Sequence, residues 1–363
     1  MDAESLIEQA EQFPACLQKI ILLEQAAHQY ELAGRWTRAF ETRRRATDAA
    51  EDAGLFERAA VSFAKCLHMV DTKPELEEDA EDLLWDFFHV IWFSADEPAI
   101  PLEKILEMLE DLRRRFDLHG LNPRPVAHLR WRIWMRIGRM EQAQKEWEIW
   151  RNQSSTWFCY DQASQQDSTV DLLFRCGRYE ESLQAAEPIL KGELKSEPEI
   201  PFVTYCYVMM CHLHLGQLEK AKRYHQKGYR LLMAEKRPLS LYEASFHLVY
   251  LVHVRELAKA LETFERYLPW AVESTNKDNH CLFFNAAGGL FNTIEDDQPL
   301  SIRTPRDFRW RQENDQYTAH VLGRRLTEEA DAIAARFDAR NQTTVYSELM
   351  HFFRNLCAHP AET

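Results

Sequence analysis

Apolar residues recur at three- and four-residue spacing through most of the chain, and a short phrase punctuates them. An apolar helix reaches a glycine, an apolar or aromatic residue follows two positions on, and a small residue follows five positions on. Gly34-Arg-Trp36-Thr-Arg-Ala39 and Gly54-Leu-Phe56-Glu-Arg-Ala59 carry the phrase, as do Gly138-Arg-Met140-Glu-Gln-Ala143, Gly177-Arg-Tyr179-Glu-Glu-Ser182 and Gly216-Gln-Leu218-Glu-Lys-Ala221. Arg255-Glu-Leu257-Ala-Lys-Ala260 repeats it without the glycine. The last four copies begin at 138, 177, 216 and 255, a spacing of 39 residues three times over. One unit earlier, Ile100-Pro-Leu102-Glu-Lys-Ile105 is a weaker copy. The pattern predicts helical hairpins: glycine takes the left-handed turn that closes one helix, and the small residue lets the next approach closely. A lone hairpin cannot bury its apolar face, so such units stack in series.

These residues resemble the tetratricopeptide repeat family, whose hairpins carry a Gly-x-aromatic-x-x-Ala core. The likeness covers roughly residues 16 to 272. The 39-residue unit is longer than the family's usual length of about 34, and the proline that ends a unit is often absent. Armadillo and HEAT units have a suitable length, but the turn phrase favours the tetratricopeptide family. The resemblance implies an all-α, right-handed superhelical solenoid of about seven antiparallel hairpins, residues 1–272, followed by a C-terminal cap, residues 273–363. In the cap, a helix from Asn276 is expected to stop at Gly288 and Gly289. A loop over 295–312 follows, and then helices near 316–338 and 343–357 close the apolar end of the stack. Ala335-Arg-Phe-Asp-Ala-Arg-Asn341 is similar to a C-terminal element of bacterial tetratricopeptide proteins, which implies no activity.

Composition supports long helices, because the 363 residues include only 11 glycines while 45% are of hydrophobic type. The formal charge is 44 − 58 = −14. Between Glu75 and Asp111 thirteen carboxylates face one cation, Lys104, so this stretch supplies −12 of it. Such a balance disfavours a partner held by phosphate contacts, nucleic acid included. The eight cysteines include no Cys-x-x-Cys pair and lie mostly in apolar helical patterns, which fits a reducing compartment and a cytoplasmic protein. No stretch is long and apolar enough for a membrane span, and the N-terminus lacks the features of a secretory signal.

Nucleotide-binding, hydrolase and metalloprotease motifs are absent, so neither a cofactor nor a metal is expected and the chain reads as non-enzymatic. Cys206, Cys211, His212 and His214 share one helix but diverge around it, which suits core packing better than a tetrahedral ion. Trp131, Trp134, Trp147 and Trp150 likewise read as core, as do the aromatics of the acidic stretch, Trp85, Phe87, Phe88 and Trp92. The segment holding Arg303, Arg306, Phe308, Arg309, Trp310 and Arg311 is expected to fold against the array or into its groove.

The tetratricopeptide resemblance implies that the first helix of each hairpin lines a groove for a peptide or helix of another protein. Positions three, six, ten and thirteen before the turn residue should face it. They include His128, Arg132 and Met135; Asp167, Asp171 and Phe174; Cys206 and Met210; and Tyr242 and Ser245. The expected function is a protein–protein interaction scaffold. The alternative is a regulator that senses a peptide by changing curvature. The sequence leaves the partner and the oligomeric state open.

Overall fold

A computed structural model describes residues 2–79, 81–154, 159–196, 200–234, 240–294 and 299–359, the side chains of 77–79 aside. The fold is all-α, a series of antiparallel helix hairpins, and the chain divides into two compact units. Unit 1 comprises Met1–Leu129 with Ser274–Asn276, and unit 2 comprises Arg130–Glu273 with Lys277–Thr363.

Unit 1 holds α1 (Ala3–Ala10), α2 (Leu17–Leu32), α3 (Trp36–Asp52), α4 (Phe56–Thr72), a 3-10 turn (Pro74–Asp79), α5 (Leu83–Ser94), α6 (Leu102–Leu118) and the start of α7 (Arg124–Arg136). Each helix from α1 to α5 packs on the next. Most of the acidic stretch lies in the turn, in the loops and on α6. The aromatics belong to α5, where Phe87 and Phe88 are buried and Trp85 stacks on Phe88 at 5.6 Å.

Unit 2 continues from α7 through α8 (Met140–Arg151), α9 (Gln162–Arg175), α10 (Tyr179–Leu190), α11 (Phe202–His214), α12 (Leu218–Ala234), α13 (Leu241–His253), α14 (Leu257–Glu273), α15 (Lys277–Asn292), α16 (Ala319–Asn341) and α17 (Val345–Ala358). The first helices α9, α11, α13 and α15 pack on one another in that order, each with its own partner helix behind it. One apolar core runs from Val170 to Cys357.

The repeated phrase builds the same turn each time. Gly34, Gly54, Gly138, Gly177 and Gly216 all have φ between 66° and 82°. Behind each, two backbone bonds reach back across the last helical turn, as in Gly177 N to Phe174 O (2.9 Å) and Arg178 N to Leu173 O (2.9 Å). This is the closure that satisfies the orphan carbonyls of a helix end. The small residue five positions on is buried in every copy: Ala39, Ala59, Ala143, Ser182, Ala221 and Ala260.

The copy that lacks glycine keeps the turn. Arg255 adopts φ 60°, and Arg255 N and Glu256 N make the same two bonds, to Val252 O (3.1 Å) and Leu251 O (2.9 Å). A side chain in this conformation costs about 1–2 kcal/mol. Arg255→Gly is therefore expected to stabilise unit 2 by about 1 kcal/mol, a rise of roughly 2–4 °C in melting temperature for a unit of this size. Thermal melting followed by circular dichroism checks it, and an unchanged or lower midpoint would show that the turn is unstrained.

The expected stop at Gly288 and Gly289 does not occur, because α15 runs through both to Asn292. The glycines serve close packing instead. A Cβ at position 289 would lie 2.7 Å from Cys357 Sγ, and one at 288 would collide with Thr327. Of the expected 295–312 loop, residues 295–298 lie outside those described. The remainder is fastened down. Leu300–Ser301 (β1) pairs antiparallel with Gln316–Tyr317 (β2), and Ile302, Phe308 and Tyr317 are buried. Arg303 pairs with Glu265 of α14 (3.0 Å), Arg309 with Glu329 of α16 (2.9 Å), and Trp310 meets Phe284 of α15 (6.0 Å). This segment therefore folds against the helices.

Candidate functional site

Four first helices, α7, α9, α11 and α13, share a feature just ahead of their turn residues. Their ends read Met135-Arg136-Ile137, Phe174-Arg175-Cys176, Leu213-His214-Leu215 and Val252-His253-Val254. A basic side chain thus stands two positions before the turn in all four, within the last helical turn, where the negative end of the helix dipole favours a cation.

The structure uses all four. The Arg136 guanidinium is 3.0 Å from Asp278 at the start of α15, and both side chains are nearly buried. Arg175 donates to Asp171 through Nε (2.8 Å) and to the Tyr242 hydroxyl (3.1 Å), which also accepts from Tyr207 (3.4 Å). Burial works against the Arg175 charge, but Asp171, Tyr242, Tyr207 and Asp278 outweigh it and hold its pKa well above the ordinary value. His214 lies flat between Tyr179 (4.2 Å) and Phe352 of α17 (4.6 Å). His253 Nδ1 meets Leu356 O, a carbonyl in the last turn of α17, at 2.8 Å.

The row that carries these contacts therefore runs through positions two, six, nine and thirteen before the turn. It takes in Arg136, Arg175, His214 and His253, then Arg132 and Asp171, then Tyr207 and Phe246, then Tyr242. The expected row used three, six, ten and thirteen. Both are legitimate stripes of a 3.6-residue helix, identical at two positions and about 100° apart at the others.

That difference sorts the ten expected residues. Arg132, Asp171 and Tyr242 lie on the row, and Arg132 places its guanidinium 5.7 Å from the Tyr160 ring. Met210 is in the same register but fully buried, as is Met135. Two of the residues ten before the turn enter the seams between successive first helices: Asp167 accepts from Thr204 of α11 (2.6 Å) and Cys206 lies 3.9 Å from His247 of α13, while the buried Ser245 bonds back within α13 to Leu241 O (2.7 Å). His128, also ten before its glycine, is buried. Burial pushes Asp167 up to about 7, with Asp171 adding to the rise and Thr204 and Arg132 opposing it. Phe174 joins an aromatic group with Tyr207 (5.8 Å) and Phe246 (6.4 Å). The repeated basic residue before the turn was the sequence signal for Arg136, Arg175, His214 and His253.

Helix α17 lies on this row. Phe353 packs edge-on against Phe246 (5.3 Å), Asn285 Nδ2 of α15 donates to Met350 O (3.1 Å), and Cys357 sits against Gly289. Val345 covers Gly138 at the end of α7, and Thr343 donates to Ile137 O (3.3 Å). Tyr346, Met350, Phe353 and Cys357 are buried, while Ser347, Glu348, His351 and Asn355 face out.

Other expected clusters are accounted for by packing. Trp131 and Trp150 are buried 5.7 Å apart, Cys206 and Cys211 are in the core, and His212 meets Gln217 (2.9 Å). Among the described residues no group of three or more His, Cys, Asp or Glu side chains is arranged to hold a metal ion, and no helix is long and apolar enough to cross a membrane.

No protein-family model matches the chain, and no curated protein matches it. Among solved structures it is similar to the APC/C hetero-tetramer Cut9–Hcn1, with 13% identity over 93% of this chain and 76% of that chain and a TM-score of 0.34.

Proposed function

We propose that the protein is a non-enzymatic interaction scaffold whose first-helix face in unit 2 takes a peptide or helix of another protein. One observation carries this reading: an amphipathic helix, α17, already lies on that face, with aromatic rings seated against Phe246 and His214. Aromatic anchors in buried pockets are the usual source of affinity at such surfaces. The half-buried Arg132 adds a cation to the same row, while Asp171 is buried and held by Arg175 (2.8 Å). Cytoplasmic partners fit the free cysteines. A second reading, a regulator whose helix packing changes when a peptide binds, is favoured by the short turn that joins α17 to α16.

The test is capture of partners from the protein's own cells with the wild type and with Arg132→Glu, after circular dichroism has shown the variant folded. Loss of a partner at least tenfold in the variant is expected. An unchanged set of partners would remove this face from the binding surface.

A further inference from the structure

Three features of α17 set it apart from a helix that merely ends a stack. An end cap touches the last hairpin. Helix α17 also reaches the turn after α7, the end of α11 and the end of α13, through Val345 on Gly138, Phe352 on His214, and Leu356 O on His253. Its polar contacts with the face fall largely on its backbone, since His253 and Asn285 meet the carbonyls of Leu356 and Met350. Any helix can present such carbonyls, so on this face the apolar side chains read identity, while Arg354 forks onto Asp331 of α16 (2.9 and 2.8 Å). The connection to α16 is short. Gln342 takes a left-handed turn (φ 53°), and Asp338 accepts from Tyr346 N (2.9 Å) and Ser347 N (3.0 Å) to start the new helix.

We propose that α17 is a resident, displaceable occupant of the face, and that the partner is an amphipathic helix with the same apolar register. That register is an aromatic at the position of Tyr346, a flexible apolar residue at Met350, two adjacent aromatics at Phe352 and Phe353, and a small residue at Cys357. The small residue is set by Gly289, where the helices come too close for a Cβ: one there would lie 2.7 Å from the Cys357 sulfur and 3.1 Å from its Cβ. The aromatic at 352 is set by the exposed side of His214, which is stacked on Tyr179 from the other side. The partner's last-turn carbonyl takes the bond from His253. This inference rests on the scaffold reading above and names the surface's ligand and its competitor.

Gly289→Cys in the full chain gives one protein with two states. Reduced, the added side chain crowds Cys357 and loosens α17. Oxidised, the pair lies close to disulfide geometry, a few tenths of an ångström inside the usual Cβ separation of about 3.5–4.5 Å, and ties α17 down. The probe is a fluorescein-labelled synthetic peptide of residues 343–359, followed by anisotropy, with wild type and the variant in both states. The expected affinity order is reduced variant, then wild type, then oxidised variant, with at least tenfold between the extremes. A peptide with alanine at the positions of Phe352 and Phe353 is expected to lose at least tenfold against the reduced variant.

Equal binding by the oxidised and reduced variant would overturn the displaceable occupant while leaving a helix-binding surface elsewhere on the scaffold. Binding by none of the three would overturn it too, and capture of partners sensitive to Arg132→Glu would then still stand. Exchange of α17 between two copies, seen as a dimer by light scattering in the reduced variant alone, would assign the face to self-association and overturn the partner helix.

Discussion

Asp278→Ala is expected to cost unit 2 about 3–5 kcal/mol, because it leaves the Arg136 guanidinium in a nearly closed site without its carboxylate. The pair joins the end of α7 to the start of α15, helices more than 140 positions apart in the chain, at 3.0 Å and with side-chain exposures of 10% and 3%. A surface pair of the same geometry would contribute under about 1 kcal/mol. Here the size of the effect comes from desolvation: the guanidinium stays out of water when this carboxylate is removed. The cost should fall sharply in the double variant Arg136→Met/Asp278→Leu, which replaces both charges with apolar groups of similar volume. Urea denaturation of the wild type, the single variant and the double variant measures this. A single-variant loss below about 1 kcal/mol would mean that water reaches the pair.

Much of this architecture was legible in the primary structure, and what was not has a definite cause. The glycine phrase gave the hairpins because φ near 70° is a backbone demand that few other residues meet, and even Arg255 obeyed the period that glycine had marked. Burial of Ala143, Ala221 and Ala260 followed from the same phrase. The facing row was harder. Two stripes of the same helix share positions six and thirteen before the turn, and hydrophobicity cannot separate them in α11 and α13, which are apolar almost all round. The repeated Arg, Arg, His, His before the turn breaks that tie. It carries information because a basic residue inside a run such as Val252-His253-Val254 is costly unless something receives it. The seat of α17 was beyond reach. Its own amphipathic pattern fixes which of its sides is buried and says nothing of which distant helices bury it. The glycines 288 and 289 misled for a related reason: inside a helix, glycine marks close approach of a second backbone as readily as a stop.

In unit 1 the strongest expected effect is one of pH. Glu51 of α3 is largely buried beside Asp48, Asp52 and Asp86, with the Arg44 guanidinium committed to Asp86 (2.8 Å) and His89 Nδ1 3.8 Å from a Glu51 oxygen. Burial, then Asp86, Asp48 and Asp52, push Glu51 up to about 8, and burial with Asp86 pushes Asp48 up to about 6. A carboxyl whose pKa is higher folded than unfolded keeps its proton longer in the native state. The unfolded chain then binds fewer protons between the two values, and stability falls as pH rises. For Glu51 that contribution is full below about 4.5 and is lost as pH rises through about 8. Glu51→Gln keeps the shape and removes the ionisation. At about 1.4 kcal/mol for each unit of pKa difference, less the share that water screens at a side chain 18% exposed, it is expected to stabilise unit 1 on the order of 3 kcal/mol at pH 9 and to be nearly neutral at pH 5. Urea unfolding of wild type and variant at pH 5, 7 and 9 provides the comparison. A difference that stays constant across that range would mean that Glu51 ionises at its ordinary pKa.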